Sequence, residues 1–218
     1  MTEINLLSSL PKSKRSITER KEAKTEDHVK ISRMYGKEYF DGDREYGYGG
    51  YKYDGRWVSV AKDIKKHYGL NDGDKVLDVG CAKGFLVKDF FDLGIQSSGI
   101  DISKYAIDNS LLEIKDRLVI GSAEKLPFPD DTFDAVVAIN TIHNLDREKC
   151  KQSINEMQRV SKNKEKLFIQ VDSYLNEEQK KIFESWVLTA KFYGYPKDWL
   201  ELFKECNYEG DWNWTIIN

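Results

Sequence analysis

From Lys75 onward the chain alternates between short apolar runs and longer amphipathic ones. KVLDV, SSGIDI, LVIGSA, FDAVVAIN and KLFIQVD are the apolar runs. FDAVVAIN is almost continuously apolar, the pattern of a strand buried on both sheet faces. Between them, FLVKDFFDLG, SKYAIDNSLLEIKD and REKCKQSINEMQRVSK carry the three- and four-residue spacing of helices, with Ser103 as an expected N-cap. Strands alternating with helices in this way predict an α/β fold with a doubly wound parallel sheet. Upstream, WVSVAKDIKKHYGL sets Trp57, Val60, Ala61, Ile64 and Tyr68 on one helical face that ends at Gly69. Downstream, NEEQKKIFES reads as a helix, WVLTAKFY as a strand, and PKDWLELFKECNY as a helix opened by Pro196. GDWNWTIIN alternates as a last strand, expected to insert antiparallel beside the fifth.

Residues 1–33 read differently, polar and mixed in charge, as a mobile or peripheral arm. Residues 34–218 are expected to form a single domain whose first part, 34–57, is aromatic and glycine-rich. There EYGYGGYKYDGRW combines too much glycine for a helix interior with too many rings for an idle linker.

A length of 218 residues suits one domain, and a net charge of -3 describes a surface of both signs rather than a polyanion binder. With an acidic pI of about 5.8 and no basic residues interleaved with the tail aromatics, nucleic acid is not an expected partner. No apolar run approaches the roughly 18 residues of a membrane span. The N-terminal apolar patch precedes its basic cluster, the reverse of a secretory signal, so a cytoplasmic location and no membrane partner are expected. Cys81, Cys150 and Cys206 are far apart and form no CxxC pair, which predicts neither a disulfide framework nor a zinc site. No clustered ligands predict any other metal.

In an open α/β sheet, ligands bind beyond the carboxyl ends of the strands. Asp78 and the turn Gly80-Cys81-Ala82-Lys83-Gly84 follow the first strand, where glycine permits a tight bend and close backbone approach. Asp101 follows the second, about twenty residues beyond the turn, where a carboxylate can accept both hydroxyls of a ribose. Ser122, Ala123 and Glu124 follow the third, and Asn140, Thr141 and His143 the fourth. The turn lacks the third glycine of GxGxxG, which disfavours a nicotinamide dinucleotide.

The series VLDVGCAKG, GIDIS and GSAEKLPFPDDTFDAVVAINTIHNL resembles class I S-adenosylmethionine-dependent methyltransferases, particularly the small-molecule branch with the ubiquinone and menaquinone enzymes. The resemblance implies a Rossmann-like sheet of seven strands in the order 3-2-1-4-5-7-6, with strand seven antiparallel. It implies that Asp78, Gly80, Ala82 and Gly84 line the methionine part of the cofactor. Asp101 would bind the ribose, Ile102 lie against the adenine, Ser122, Ala123 and Glu124 edge it, and Asn140 line the pocket. Ala82 stands at the middle glycine of the family's GxGxG, and Ser122 where many members have Asp. His143 matches a family histidine and is the candidate general base, or else a residue that fixes its loop. Lys83 reaches either the cofactor carboxylate or solvent. Asp172 and Tyr174 follow strand five and face the ligand edge, Asp172 alternatively capping the next helix. Family architecture also makes 34–57 a lid, with Tyr48, Tyr51 and Tyr53 as pocket walls, Arg56 as an anion ligand and Asp54 orienting it; the alternative is a flap anchored by its rings. The expected activity is methylation of a small polar metabolite at oxygen or nitrogen, with a sugar or sugar nucleotide favoured. A protein or peptide methyltransferase and a cofactor-binding regulatory subunit without turnover remain open readings.

Overall fold

The computed structural model describes residues 1–11 and 24–216. The central sheet has the strands β1 (Lys75–Val79), β2 (Gln96–Asp101), β3 (Leu118–Ile120), β4 (Ala135–Ile139), β5 (Leu167–Ser173) and β6 (Asp211–Ile216). They lie in the order β3-β2-β1-β4-β5-β6 and every pairing is parallel. The order reverses at β1, between β2 on one side and β4 on the other, which opens a crevice beyond their carboxyl ends.

Strand periodicity divides the core into two layers. Val76, Ala135, Val137 and Phe168 point to one face, where α3 (Val58–His67) and α4 (Phe85–Asp92) cover them with Val60, Ala61, Ile64, Leu86 and Phe90. Leu77, Val136, Ala138, Leu167 and Ile169 point to the other. There α6 (Arg147–Val160) and α8 (Pro196–Glu205) supply Ile154, Met157, Trp199 and Phe203. The fully buried side of α3 is Val60, Ala61 and Ile64, three members of the face predicted from spacing. Further, α5 (Lys104–Asp108) packs against β2 and β3, and α2 (Lys37–Asp41) packs against both α5 and α1 (Glu26–Ser32). The helix expected over SKYAIDNSLLEIKD is shorter than predicted. Ser103 caps it by accepting from the Ala106 amide, but α5 ends at Asp108 and a 3₁₀ turn over Leu112–Arg117 follows. Asn109 and Ser110 stand at the break, residues whose short polar side chains compete with helical hydrogen bonding.

The carboxyl-terminal third corrects the expected topology. The sheet has six strands, not seven, and β6 runs parallel to β5, in register from Phe168 opposite Asp211 to Ser173 opposite Ile216. WVLTAKFY forms no strand: α7 (Glu177–Trp186) takes its first residue, and the rest crosses the ligand edge of the sheet. There the Lys191 amide donates to the His143 carbonyl, and the Phe192 amide to those of His143 and Leu145. Amides used in this way cannot serve a sheet ladder. Without a sixth strand to make a hairpin, α8 carries the chain back across the layer, and β6 enters from the same edge as its neighbours.

At the chain start, Thr2–Ile4 bonds to the outer edge of β6 through Trp212, and Leu6 and Leu7 are buried in the first core layer. The sequence assigned these residues to a peripheral arm; the basic part of that arm, residues 12–23, lies outside the described residues. Among the described residues, no helix is long and apolar enough to cross a membrane.

Candidate functional site

A cleft of about 350 Å³ opens beyond the carboxyl ends of β1, β2, β3 and β4. This lies within the range of roughly 300–1,000 Å³ usual for small-molecule sites. Its inner wall includes Gly80, Ala82, Asp101 and Ile102, with Ser122, Ala123 and Glu124 beside them and Asn140 across from β4. Eight of the ten expected cofactor residues therefore converge on one cleft. Asp78 and Gly84 do not line it.

The turn after β1 explains why its residues take these positions. Gly80 has φ +81°, and a Cβ there would lie 2.1 Å from Thr141 Oγ1, so only glycine lets this turn approach the loop after β4. Gly84, at φ +75°, precedes α4, and a Cβ there would meet Ile114 and Leu118. Gly84 is thus a packing glycine beneath the site rather than part of its wall. Ala82 and Asn140 both hold left-handed backbone, φ +52° and +51°, at the cleft surface. Two non-glycine residues in that region cost free energy that the surrounding packing must offset.

Asp101 is fixed from both sides: Oδ2 accepts from the Ala82 amide at 2.8 Å and Oδ1 from the Ser103 amide at 2.8 Å. A carboxylate has about four lone-pair positions, so two remain for a diol. Burial raises the Asp101 pKa, and the two amides oppose that rise. Asp78 sits below it with 5 % exposure, pushed up to about 7 by burial and by the Asp101 charge. Asn140 Oδ1 accepts from Thr215 Oγ1 at 3.0 Å, and that hydroxyl accepts from Gln170 Nε2 at 3.0 Å, so β6 braces the cleft through β5.

His143 is buried and lies off the cleft. Its Nδ1 accepts from the Asp172 amide at 3.1 Å, which assigns the proton to Nε2, 3.6 Å from Asp172 Oδ2. Burial lowers its pKa, with the Asp172 carboxylate opposing. The ring is thus held by Asp172 and does not line the cleft. Asp172 is drawn inward with it, and Asn176, not Asp172, caps α7 by accepting from the Gln179 amide. Tyr174 is buried among Phe183, Ala190 and Tyr195.

Of the expected tyrosine walls, only Tyr48 lines the cleft, and residues earlier in the aromatic segment join it. Tyr35, Tyr39, Phe40 and Tyr48 line it, whereas Tyr51, Tyr53, Asp54 and Arg56 do not. Tyr51 stacks on Phe85, the Tyr53 hydroxyl donates to Asp89 at 2.6 Å, and Arg56 pairs with Asp54 at the surface. Lys83 faces neither solvent nor the cleft. Its Nζ lies 2.6 and 2.8 Å from the Asp41 carboxylate and donates to the Tyr51 carbonyl, while the Tyr105 hydroxyl also donates to Asp41. The outer rim carries Arg33, Lys149 and Lys191. Sequence reasoning missed Tyr35, Tyr39 and Phe40 although they stand in the aromatic run already noted. Lys191 carried no local signal, because its segment read as a strand.

Among the described residues, no group of three or more His, Cys, Asp or Glu side chains is placed to hold a metal ion.

Residues 77–169 match the family described as "Methyltransferase domain". The chain is 29% identical over 171 residues to a sterol 4-C-methyltransferase of Caenorhabditis elegans, covering 69% of this chain and 50% of that one. It is 32% identical over 121 residues to the ubiquinone/menaquinone biosynthesis C-methyltransferase UbiE of Chromobacterium violaceum, covering 49% and 48%. The chain thus matches half or less of the length of these curated relatives. Among solved structures, the YcgJ protein of Bacillus subtilis superposes with a TM-score of 0.52 at 21% identity, over 67% of this chain and 66% of that one. That likeness shows the shared fold. The glycine turn, the acidic residue ending β2 and the strands on both sides of the reversal at β1 fall within or beside the span, residues 77–169, that matches the methyltransferase domain family.

Proposed function

We propose that this protein transfers a methyl group from S-adenosylmethionine to a small polar acceptor held between the glycine turn and the tyrosine wall. The single observation that carries the reading is the convergence of Gly80, Ala82 and Asp101 on one cleft of about 350 Å³. S-adenosylmethionine supplies, when bound, an electrophilic methyl group on a sulfonium. The free lone pairs of Asp101 accept the ribose hydroxyls, and the bare backbone at Gly80 admits the methionine part. Ser122, Ala123 and Glu124 edge the adenine, with Ile102 against its face.

Tyr35, Tyr39 and Tyr48 line the cleft, and tyrosine walls combine apolar ring surface with polar hydroxyls. Both nitrogens of His143 are engaged by Asp172, which favours a reaction driven by alignment and water exclusion over one needing a histidine base. An acceptor atom that is already nucleophilic, an uncharged amine or an ionised oxygen, meets that requirement. The sterol named for the Caenorhabditis elegans relative is an apolar acceptor, whereas Arg33 and Lys191 at this rim favour a polar one. Nothing in the cleft points to a sugar or sugar nucleotide in particular: Asp54 and Arg56 pair with each other at the surface and do not line it.

Calorimetric titration with S-adenosylmethionine, followed by assay of S-adenosylhomocysteine release over fractionated metabolite pools, tests this reading. Asp101→Ala is expected to weaken cofactor binding by about ten- to a hundred-fold, the loss of one or two hydrogen bonds to a charged group. Unchanged affinity would remove the ribose assignment, and no binding by the unaltered protein would remove the function.

A further inference from the structure

The cleft is electrostatically divided. Its inner end holds Asp101, and at the side of the β3 loop Lys149 Nζ meets Glu124 at 3.2 Å, so that cation is neutralised. The outer end is different. Arg33, just past α1, donates from its guanidinium to the Ala190 carbonyl at 3.2 Å, which sets it beside Lys191. Lys191 is held in turn by its backbone, whose amide donates to the His143 carbonyl at 2.9 Å. Both side chains line the cleft, and among the described residues neither has a carboxylate within ion-pair distance. Lys24 adds a third positive charge: its Nζ donates to the Glu184 carbonyl, and repulsion from Arg33 joins burial in lowering its pKa, against the Glu184 charge. Between the rim and Asp101 stands Tyr35, its phenol pushed up to about 12 by burial, lowered by Arg33 and raised by Asp101. Tyr39 shares a hydrogen bond with the Thr189 side chain, so the aromatic segment and the loop carrying Lys191 close on each other.

We propose that the acceptor carries a carboxylate or phosphate, bound at the cleft mouth by the Arg33 guanidinium and the Lys191 ammonium while its body lies against Tyr35, Tyr39 and Tyr48. The guanidinium fork matches two oxygens of such a group, and a lysine beside it adds a point charge. Two chain segments far apart in sequence bring these cations together. Solubility alone does not require two cations at the rim of an aromatic-walled cleft. Exposed pairs contribute little singly, so recognition rests on the two acting together on one anion. This inference rests on the methyl-transfer reading for the word acceptor, but the anion site itself does not.

The test uses the full chain, alone and saturated with S-adenosylhomocysteine, titrated by ligand-observed NMR with phenyl phosphate and benzoate, and with phenol and benzamide as uncharged counterparts. At least one anion is expected to bind while its uncharged counterpart binds about ten-fold more weakly or not at all. The two anions separate phosphate from carboxylate preference. Lys191→Glu is expected to weaken anion binding about ten-fold, Arg33→Gln similarly, and raised salt to weaken the unaltered protein. Lys191 has no side-chain partner in the described residues, so Lys191→Glu is expected to keep its fold, checked by circular dichroism. Equal binding of charged and uncharged probes, no anion binding at millimolar concentration, or unchanged affinity in a folded Lys191→Glu would each overturn the proposal. Anion binding that depends on Arg33 and Lys191, in a protein that fails to bind S-adenosylmethionine, would remove the methyl-transfer reading alone. Cofactor binding without the anion site would do the reverse.

Discussion

At the scale of single residues, the site depends on a few backbone and charge conditions that packing imposes. Ala82 illustrates one: in the sequence it is a mild departure from a glycine motif, and in the fold it holds φ +52° while its amide donates to Asp101. Nothing in the letter A shows that the position demands left-handed backbone, because that demand comes from the turn packing against β2. Asp78 illustrates another. Buried beneath Asp101, its carboxyl is raised to about 7, first by burial and then by the neighbouring charge. A folded pKa above the unfolded one means a contribution that is fully present below about pH 4 and lost as pH rises to about 7. The slope over that window is up to about 1.4 kcal/mol per pH unit for one proton. Chemical denaturation of the protein and of Asp78→Asn, from pH 4 to 8, measures it. Stability of the unaltered protein relative to the variant is expected to fall through that window, and parallel profiles would show that Asp78 titrates normally. His143 was legible as a residue near the site, but its role was not: the tautomer is set by Asp172, a residue 29 positions away.

At the scale of elements, the aromatic segment is joined to the glycine turn through Asp41 on α2. Its carboxylate receives the Lys83 ammonium, the Tyr105 hydroxyl and the Tyr51 amide. Burial raises the Asp41 pKa, but these three donors outweigh it and hold the pKa below the usual carboxylate range. Lys83, with a side chain 7% exposed, would be left without its counter-charge in Asp41→Asn. That change is expected to destabilise the protein by roughly 1–3 kcal/mol, the cost of an unsatisfied, partly buried charge. Because α2 carries Tyr39 and Phe40 into the cleft, KM for the acceptor is expected to rise more than kcat falls. A thermal melt with steady-state kinetics separates the two effects, and an unchanged KM with a lowered melting temperature would make the contact purely structural. The sequence singled out the aromatic run and Tyr48 as a cleft residue, but not Tyr35, Tyr39 and Phe40 ahead of it. Which rings face inward is decided by where α2 docks, and Asp41 and Lys83 meet across 42 positions.

At the scale of the whole molecule, the N-terminal segment is part of the fold at its start. Leu6 and Leu7 enter the core layer of α3 and α4, and Thr2–Ile4 bonds to β6. Leu6→Ala is expected to cost about 2–4 kcal/mol in urea denaturation, as for other buried leucines truncated to alanine. A loss below about 0.5 kcal/mol would mean that the segment is peripheral in solution. This docking escaped the sequence reading because a short apolar patch, Ile4, Leu6, Leu7 and Leu10, does not reveal what it packs against; the groove that takes it is built by residues more than fifty positions later.

The sequence by itself determined the alternation of five strands and their helices, the two-faced core and the cofactor edge, because period-two and period-3.6 patterns are local and glycine turns are restricted by backbone sterics. Only the tertiary structure decided that the last strand runs parallel, that WVLTAKFY closes the cleft instead of extending the sheet, and that Arg33 and Lys191 meet at its mouth. Those outcomes depend on which distant backbone and side-chain groups satisfy one another, and no window of neighbouring residues contains both partners.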